Sequence, residues 1–275
     1  MSKSNVDSDG FQIVKSKRST KNKQTKVPPK NLQFHGEDVN IDVATSVCRI
    51  QSSVEELKVS EYFKSITNTV SNLLQSSNGV EIVCFGLGHI AECNISRYQL
   101  GLLLCLKDLC KAEKVLAHDP IFYKSECAVL KELGIDVIAE NNEGCYVISD
   151  EKITIFYLPH CPKQLTNNLL WSNWTVNLSN CILICNSFTS LVERQPSRVL
   201  SETVPYIQKI FPHTSEVILE NNFQFTDIFN DISIHHFPKE KLEKLESDFW
   251  INKEKPSYNN TEEFITSLMI EKLNI

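Results

Sequence analysis

Three uninterrupted apolar runs constrain this chain more than any other feature: "EIVCF" at 81–85, "ITIFYL" at 153–158 and "CILIC" at 181–185. A strand exposed on one face alternates apolar and polar residues, whereas one covered on both faces does not. The runs therefore predict strands buried on both sides, in a mostly parallel sheet with helices above and below.

The segments between the runs fit that architecture. Strands are expected at 80–85, 114–118, 136–138, 153–158, 181–185, 216–219 and 231–236, with helices at 95–110, 123–133, 163–172, beyond Phe188 and from Lys239. Repeated βα units of this length imply right-handed crossovers and a doubly wound, Rossmann-like α/β fold. Ahead of them, Phe63, Ile66, Val70 and Leu73 recur at spacings of three and four, which predicts one helix from about Ser53 to Gln75. That helix should stop at Ser76-Ser77-Asn78-Gly79. The chain thus divides into a disordered basic tail at 1–50, an α/β domain at 51–250 and a helical extension at 251–275.

Charge is distributed unevenly. Of the overall net −6, the first 30 residues carry eight Lys and Arg against Asp7 and Asp9, a local +6, so the remainder holds −12. Such a tail suits nuclear import or solubility. With Phe11 as its sole aromatic among the basic residues, it lacks the interleaving that nucleic-acid binding would favour. Phe11, Ile13 and Val14 form an apolar island suited to docking. No apolar run approaches the roughly 20 residues that span a bilayer, so no membrane association is expected. Of the ten cysteines, Cys84, Cys105, Cys110, Cys181 and Cys185 lie in apolar segments, as core thiols do in a reducing compartment. This places the protein in the cytoplasm and nucleus. No CxxC pair is present, which argues against a zinc ribbon and leaves no metal site expected.

Ligands of an open parallel sheet bind beyond the carboxyl ends of its strands. The residues that follow each expected strand are accordingly the candidate site: Gly86, Gly88 and His89 after the first, Asp119 after the second, His160 and Cys161 after the fourth, Asn186 and Ser187 after the fifth. Gly86-Leu87-Gly88-His89-Ile90-Ala91 fits the loose pattern G-x-G-x-x-[GA], whose glycines admit close backbone approach and whose following helix amides can face an anion. Cys93-Asn94 implies a late helix start, with Asn94 as its cap, so the loop is similar to that of S-adenosylmethionine-dependent methyltransferases, although the acid that often precedes that loop is absent. Asp119 is placed either to bind ribose hydroxyls or to cap a helix that Pro120 opens. His160 and Cys161, on extended chain, would point apart, so thiol catalysis needs His89 or His118 as a partner. Cys161-Pro162 also occurs as a dipeptide in some haem-responsive proteins, with the thiolate as iron ligand. "NNLLWSNW" at 167–174 reads as helix packing, and His235-His236 on a strand would face opposite sides.

The motifs "VCFGLGHIAECNISRYQLGLLLCL", "AHDPIFYKSECAVLKELGIDVIAENNEGCY", "FYLPHCPKQLTNNLLWSNW", "ILICNSF" and "FNDISIHHFP" resemble, in order, those of the sensitivity-to-red-light-reduced (SRR) family over roughly 80–250. "FQIVKSKRS" resembles the start of some members more loosely. The resemblance implies a regulatory protein of circadian clock input and haem biosynthesis that acts through a protein partner or a small ligand. It supplies no catalytic residue. Gly86, Gly88, Ser96, Arg97, Gln99, Asp119, Pro120, His160, Cys161, Asn186 and Ser187 carry over as motif positions only. The alternative is an enzyme of Rossmann-like type that uses S-adenosylmethionine or a nucleotide.

Overall fold

The computed structural model describes residues 39, 41–75, 79–251 and 253–258. The basic tail to residue 38, with its apolar island, and everything beyond Tyr258 lie outside the described residues.

The chain opens with two helices, α1 (Val43–Lys58) and α2 (Glu61–Leu73), where one was expected. α1 reaches back into the segment assigned to the tail because Asp42 caps it, its carboxylate accepting the Ala44 and Thr45 amides. The break between them is chemical. The Ser60 hydroxyl donates to the Leu57 carbonyl at 2.7 Å and accepts the Phe63 amide at 3.1 Å, ending one helix and starting the next. The buried apolar positions shift at this joint, with Leu57 and Tyr62 five apart where each helix keeps spacings of three and four.

There follow β1 (Val80–Phe85), α3 (Asn94–Cys110), β2 (Lys114–His118), α4 (Lys124–Glu132), β3 (Asp136–Val137), β4 (Ile153–Leu158), α5 (Lys163–Ser172), β5 (Cys181–Asn186), α6 (Phe188–Arg194), α7 (Ser197–Thr203), α8 (Pro205–Ile210), β6 (Ser215–Ile218), β7 (Ile232–His236), α9 (Lys239–Leu242) and α10 (Ser247–Ile251). The seven strands make one sheet in the order β3-β2-β1-β4-β5-β7-β6. Pairs β3–β2, β2–β1, β1–β4 and β4–β5 are parallel, and β7 runs antiparallel between β5 and β6. The expected α/β fold with a mostly parallel, two-sided sheet is the fold observed.

Two-sided burial is visible residue by residue. Ile82 and Cys84 of β1, Ile155 and Tyr157 of β4, and Ile182 and Ile184 of β5 face one core with α1 to α4. Val83 and Phe85, Phe156 and Leu158, and Leu183 and Cys185 face the other, with Leu169 and Leu170 of α5, Leu200 of α7 and Tyr206 and Ile207 of α8. The tryptophan segment packs as expected: Trp174 is buried and its indole N–H donates to the Phe249 carbonyl at 2.7 Å. In place of one charged helix from Lys239 there are the short α9 and α10, and residues 253–258 are not helical. They still dock, since the Asn167 amide donates to the Tyr258 hydroxyl at 2.8 Å.

The strand order fixes where a ligand could sit. From β1 the chain moves outward through β2 and β3, then returns to lay β4 on the opposite side of β1. The β1/β4 boundary is therefore the topological switch point, where flanking loops diverge and leave a crevice.

Candidate functional site at the β1/β4 switch point

Gly86 and Gly88 both adopt positive φ, 73° and 69°, so the chain turns twice immediately after β1. The Gly86 amide donates to the His118 carbonyl at 3.1 Å, holding the ends of β1 and β2 level. A Cβ on Gly86 would collide with the Cys161 sulfur, so the loops after β1 and β4 touch only because this residue has no side chain.

Carboxylates, not an external anion, hold the loop. Asp119 accepts the Gly88 amide at 2.7 Å, and Glu126 accepts the Ala91 amide at 3.1 Å. Glu126 is fully buried and also lies 3.1 Å from His89 Nδ1 and accepts the Tyr123 amide at 3.0 Å. The loop amides of Gly88 and Ala91 are thus taken by side chains of the chain itself, while the amides of the following helix α3 lie beyond them. His89 does not line the crevice, since its ring stacks on Tyr123 at 4.1 Å and pairs with Glu126. Asn94 is the first residue of α3 rather than its cap, a position Cys93 takes.

The crevice is a cavity of about 450 Å³. Its walls come from Phe85 to Gly88, from Ile95 and Gln99 on α3, from His118 to Ile121 after β2, and from Asn141. Pro159 to Pro162 and Leu165 close the other side, with Asp227 from the loop 219–231 also at the wall. A mostly apolar hollow with a few polar groups is usual for a small-molecule site.

Asp119 lies at the end of β2 and is almost wholly buried. It does not cap a helix, because α4 starts at Lys124 and Asp119 instead accepts the Ile121 amide at 3.0 Å within its own turn. Burial pushes its carboxyl above the usual carboxylate range, against the amides of Ile121 and Gly88. His118 beside it bonds the Ile138 carbonyl through Nδ1 at 2.8 Å, and burial pushes its pKa down.

His160 is not extended. Its φ of 52° places it in the left-handed region, uncommon for a residue with a side chain. The exposed ring donates through Nε2 to the Ile228 carbonyl at 3.0 Å, and the same carbonyl accepts the Gln99 amide at 3.2 Å. Gln99, His160 and the 219–231 loop are thus joined at one oxygen. The Cys161 thiol donates to the Phe85 carbonyl at 3.1 Å, and burial holds its pKa well above the usual thiol range. A nucleophile or an iron ligand has to be a thiolate, and burial disfavours that form of Cys161 here.

Asn186 and Ser187 belong to an adjoining cavity of about 530 Å³, lined also by Lys163, Arg194 and Asp231. His160, Cys161 and Pro162 line both hollows. Gly86, Gly88, Asp119, His160 and Cys161 are therefore brought together, Asn186 and Ser187 stand one compartment away, and His89 stands outside. Ser187 is engaged structurally, accepting the Ser190 amide at 3.0 Å as the cap of α6 and donating to Glu216 at 2.6 Å. Glu216 also accepts the Thr189 hydroxyl at 2.7 Å and lies 3.4 Å from Nε2 of the buried His235. Burial opposes ionisation, yet the bonds from His235, Ser187 and Thr189 hold this carboxyl well below the ordinary range. Sequence reasoning missed Asn141, Asp227 and Ile228. Asn141 follows β3 at the same edge and was within reach of the strand-end rule, whereas the long loop 219–231 gives no local signal for its partner.

Among the described residues no helix is long and apolar enough to cross a membrane, and no group of three His, Cys, Asp or Glu is arranged to hold a metal.

Comparison with known proteins gives consistent matches. The SRR1 domain model matches residues 52–236. The chain is 42% identical over 141 residues to the mouse SRR1-like protein, covering 50% of this chain and 56% of that one, just over half its length. It is 29% identical over 232 residues to the Drosophila melanogaster SRR1-like protein, covering 83% and 81%. It is 30% identical over 203 residues to the Arabidopsis thaliana protein SENSITIVITY TO RED LIGHT REDUCED 1, covering 70% and 72%. No solved structure matches the chain.

Proposed function

The chain belongs to the SRR1 family, and on that premise we propose that it is a regulatory protein whose switch-point cavity binds a small ligand and whose surface engages a protein partner according to whether that cavity is filled. Circadian clock input and control of haem biosynthesis, in cytoplasm and nucleus, are the processes in which this role is proposed. The observation that supports the ligand half is the cavity itself, about 450 Å³ at the carboxyl ends of β1, β2 and β4. Motif positions Gly86, Gly88, Gln99, Asp119, Pro120, His160 and Cys161 all border it.

The test is thermal unfolding of the purified chain with S-adenosylmethionine, NAD, ATP or haem. A ligand at 100 times its dissociation constant stabilises the native state by about 2.7 kcal/mol. A midpoint shift that Gly88→Val removes supports the reading, and no shift with any of them overturns it.

A second reading, an S-adenosylmethionine- or nucleotide-dependent enzyme, is favoured by one feature: the two adjoining hollows that share His160, Cys161 and Pro162. A transferase needs a cofactor and an acceptor side by side.

A further inference from the structure

The switch-point cavity differs from a nucleotide-phosphate site in three respects. First, the amides of Gly88 and Ala91 already donate to Asp119 and Glu126, so a phosphate entering the glycine loop would displace charge-assisted bonds and meet two carboxylates. Second, the ionisable side chains that line the cavity are Asp119, Asp227, His118, His160 and Cys161, without a lysine or arginine. The nearby cations Lys163 and Arg194 line the other hollow. Third, each Asp119 oxygen accepts a single amide, Oδ2 from Gly88 and Oδ1 from Ile121. Every carboxylate oxygen has a second lone pair, so the group retains capacity for two further donors. Asp119 ends β2, the place where doubly wound sheets hold ribose hydroxyls.

We propose that this cavity takes a nucleoside-type ligand that carries no phosphate, its ribose hydroxyls on Asp119 and its remaining part neutral or cationic, facing Asp227 at the exposed rim. This names the ligand class for the cavity proposed above and rests on that reading. S-adenosylmethionine, with its sulfonium and ammonium, belongs to the class; ATP and NAD, which share its adenosine, do not.

Titration calorimetry of the full chain with adenosine, S-adenosylmethionine, ATP and NAD varies the charge on a common adenosine. The expected result is tighter binding of S-adenosylmethionine and adenosine than of ATP and NAD, by at least about tenfold, with Asp119→Asn weakening the first two. Because a change at the buried Asp119 can unsettle the fold, Asp227→Lys provides the second arm. Asp227 is exposed, and the variant should weaken S-adenosylmethionine and strengthen ATP. ATP or NAD binding as tightly as S-adenosylmethionine overturns the proposal but leaves a ligand cavity in place. An unchanged preference in Asp227→Lys also overturns it. Binding of none of the four overturns it as well, and the cavity reading itself then falls only if haem also leaves the unfolding midpoint unchanged.

Discussion

The Asp119 carboxylate accepts the Gly88 amide at 2.7 Å across 31 residues of sequence, latching the end of β2 onto the loop after β1. The same carboxylate accepts the Ile121 amide at 3.0 Å, so one buried side chain holds two turns at the floor of the cavity.

Replacing Asp119 with alanine leaves both amides without their acceptor. At about 1–3 kcal/mol for each buried donor stripped of its partner, a loss of about 3 kcal/mol is expected. Asp119→Asn keeps one acceptor oxygen and should cost about half as much. Urea unfolding of the two variants measures the difference, and an alanine variant as stable as the parent would contradict the latch.

Gly86→Ala places a side chain at a φ of 73° and against the Cys161 sulfur. The left-handed conformation alone costs roughly 1–2 kcal/mol, and the collision adds to it. Gly86→Ala combined with Cys161→Ala removes the collision and should recover part of the loss, which a double-mutant cycle by thermal denaturation reads directly.

Glu216 gives the fold an acid-sensitive contribution. Its carboxyl is held below the ordinary glutamate value of 4.5, so the contribution is present in full above that value and disappears as pH falls through the lower, folded one. Glu216→Gln should therefore destabilise by about 2 kcal/mol near neutral pH, and the gap to the parent should close on acidification below pH 4.5. A gap that stays constant with pH would show that the carboxylate charge contributes nothing.

Thiol reactivity should separate the cysteines. Cys93 has its pKa lowered: burial opposes this, but the Ser96 and Ile95 amides at the start of α3, the Ser96 hydroxyl and nearby Arg97 outweigh it. Burial raises Cys161, Cys84 and Cys181 well above the usual range. Iodoacetamide near neutral pH should modify Cys93 well before those three, with peptide mass mapping as the readout.

His160→Gly relieves the left-handed backbone while deleting the bond to Ile228. Global stability should change by no more than about 1 kcal/mol. Amide hydrogen exchange in 219–231 should nonetheless speed up, since that loop loses one of the two donors, His160 and Gln99, at the Ile228 carbonyl.

What the sequence conveyed and what it withheld follow one physical division. The strands from "EIVCF", "ITIFYL" and "CILIC" were legible because two-sided burial writes itself into consecutive residues. The rim where Gly88, Asp119 and His160 meet was legible too, since parallel strands place their carboxyl ends on one edge. The break at Ser60 was not, because a single hydroxyl makes it and the only trace in the apolar pattern is the one-residue slip between Leu57 and Tyr62. Neither was the engagement of the glycine-loop amides, which depends on Asp119 and on Glu126, 35 residues beyond Ala91. The left-handed turn at His160 was equally hidden, since it is stabilised by a carbonyl 68 residues further along.

The place of β7 in the sheet bears on how a growing chain acquires its shape. During synthesis β6 leaves the ribosome before β7, yet it joins the sheet only through β7. Until residues 232–236 have emerged, the outer side of β5 presents an open row of amides and carbonyls, and Val217 and Ile218 have no strand to lie against. Raw strand margins of this kind invite pairing with other chains. A product terminated just upstream of Ile232 would keep the outer margin of β5 unpaired and leave β6 with no strand of the sheet to join.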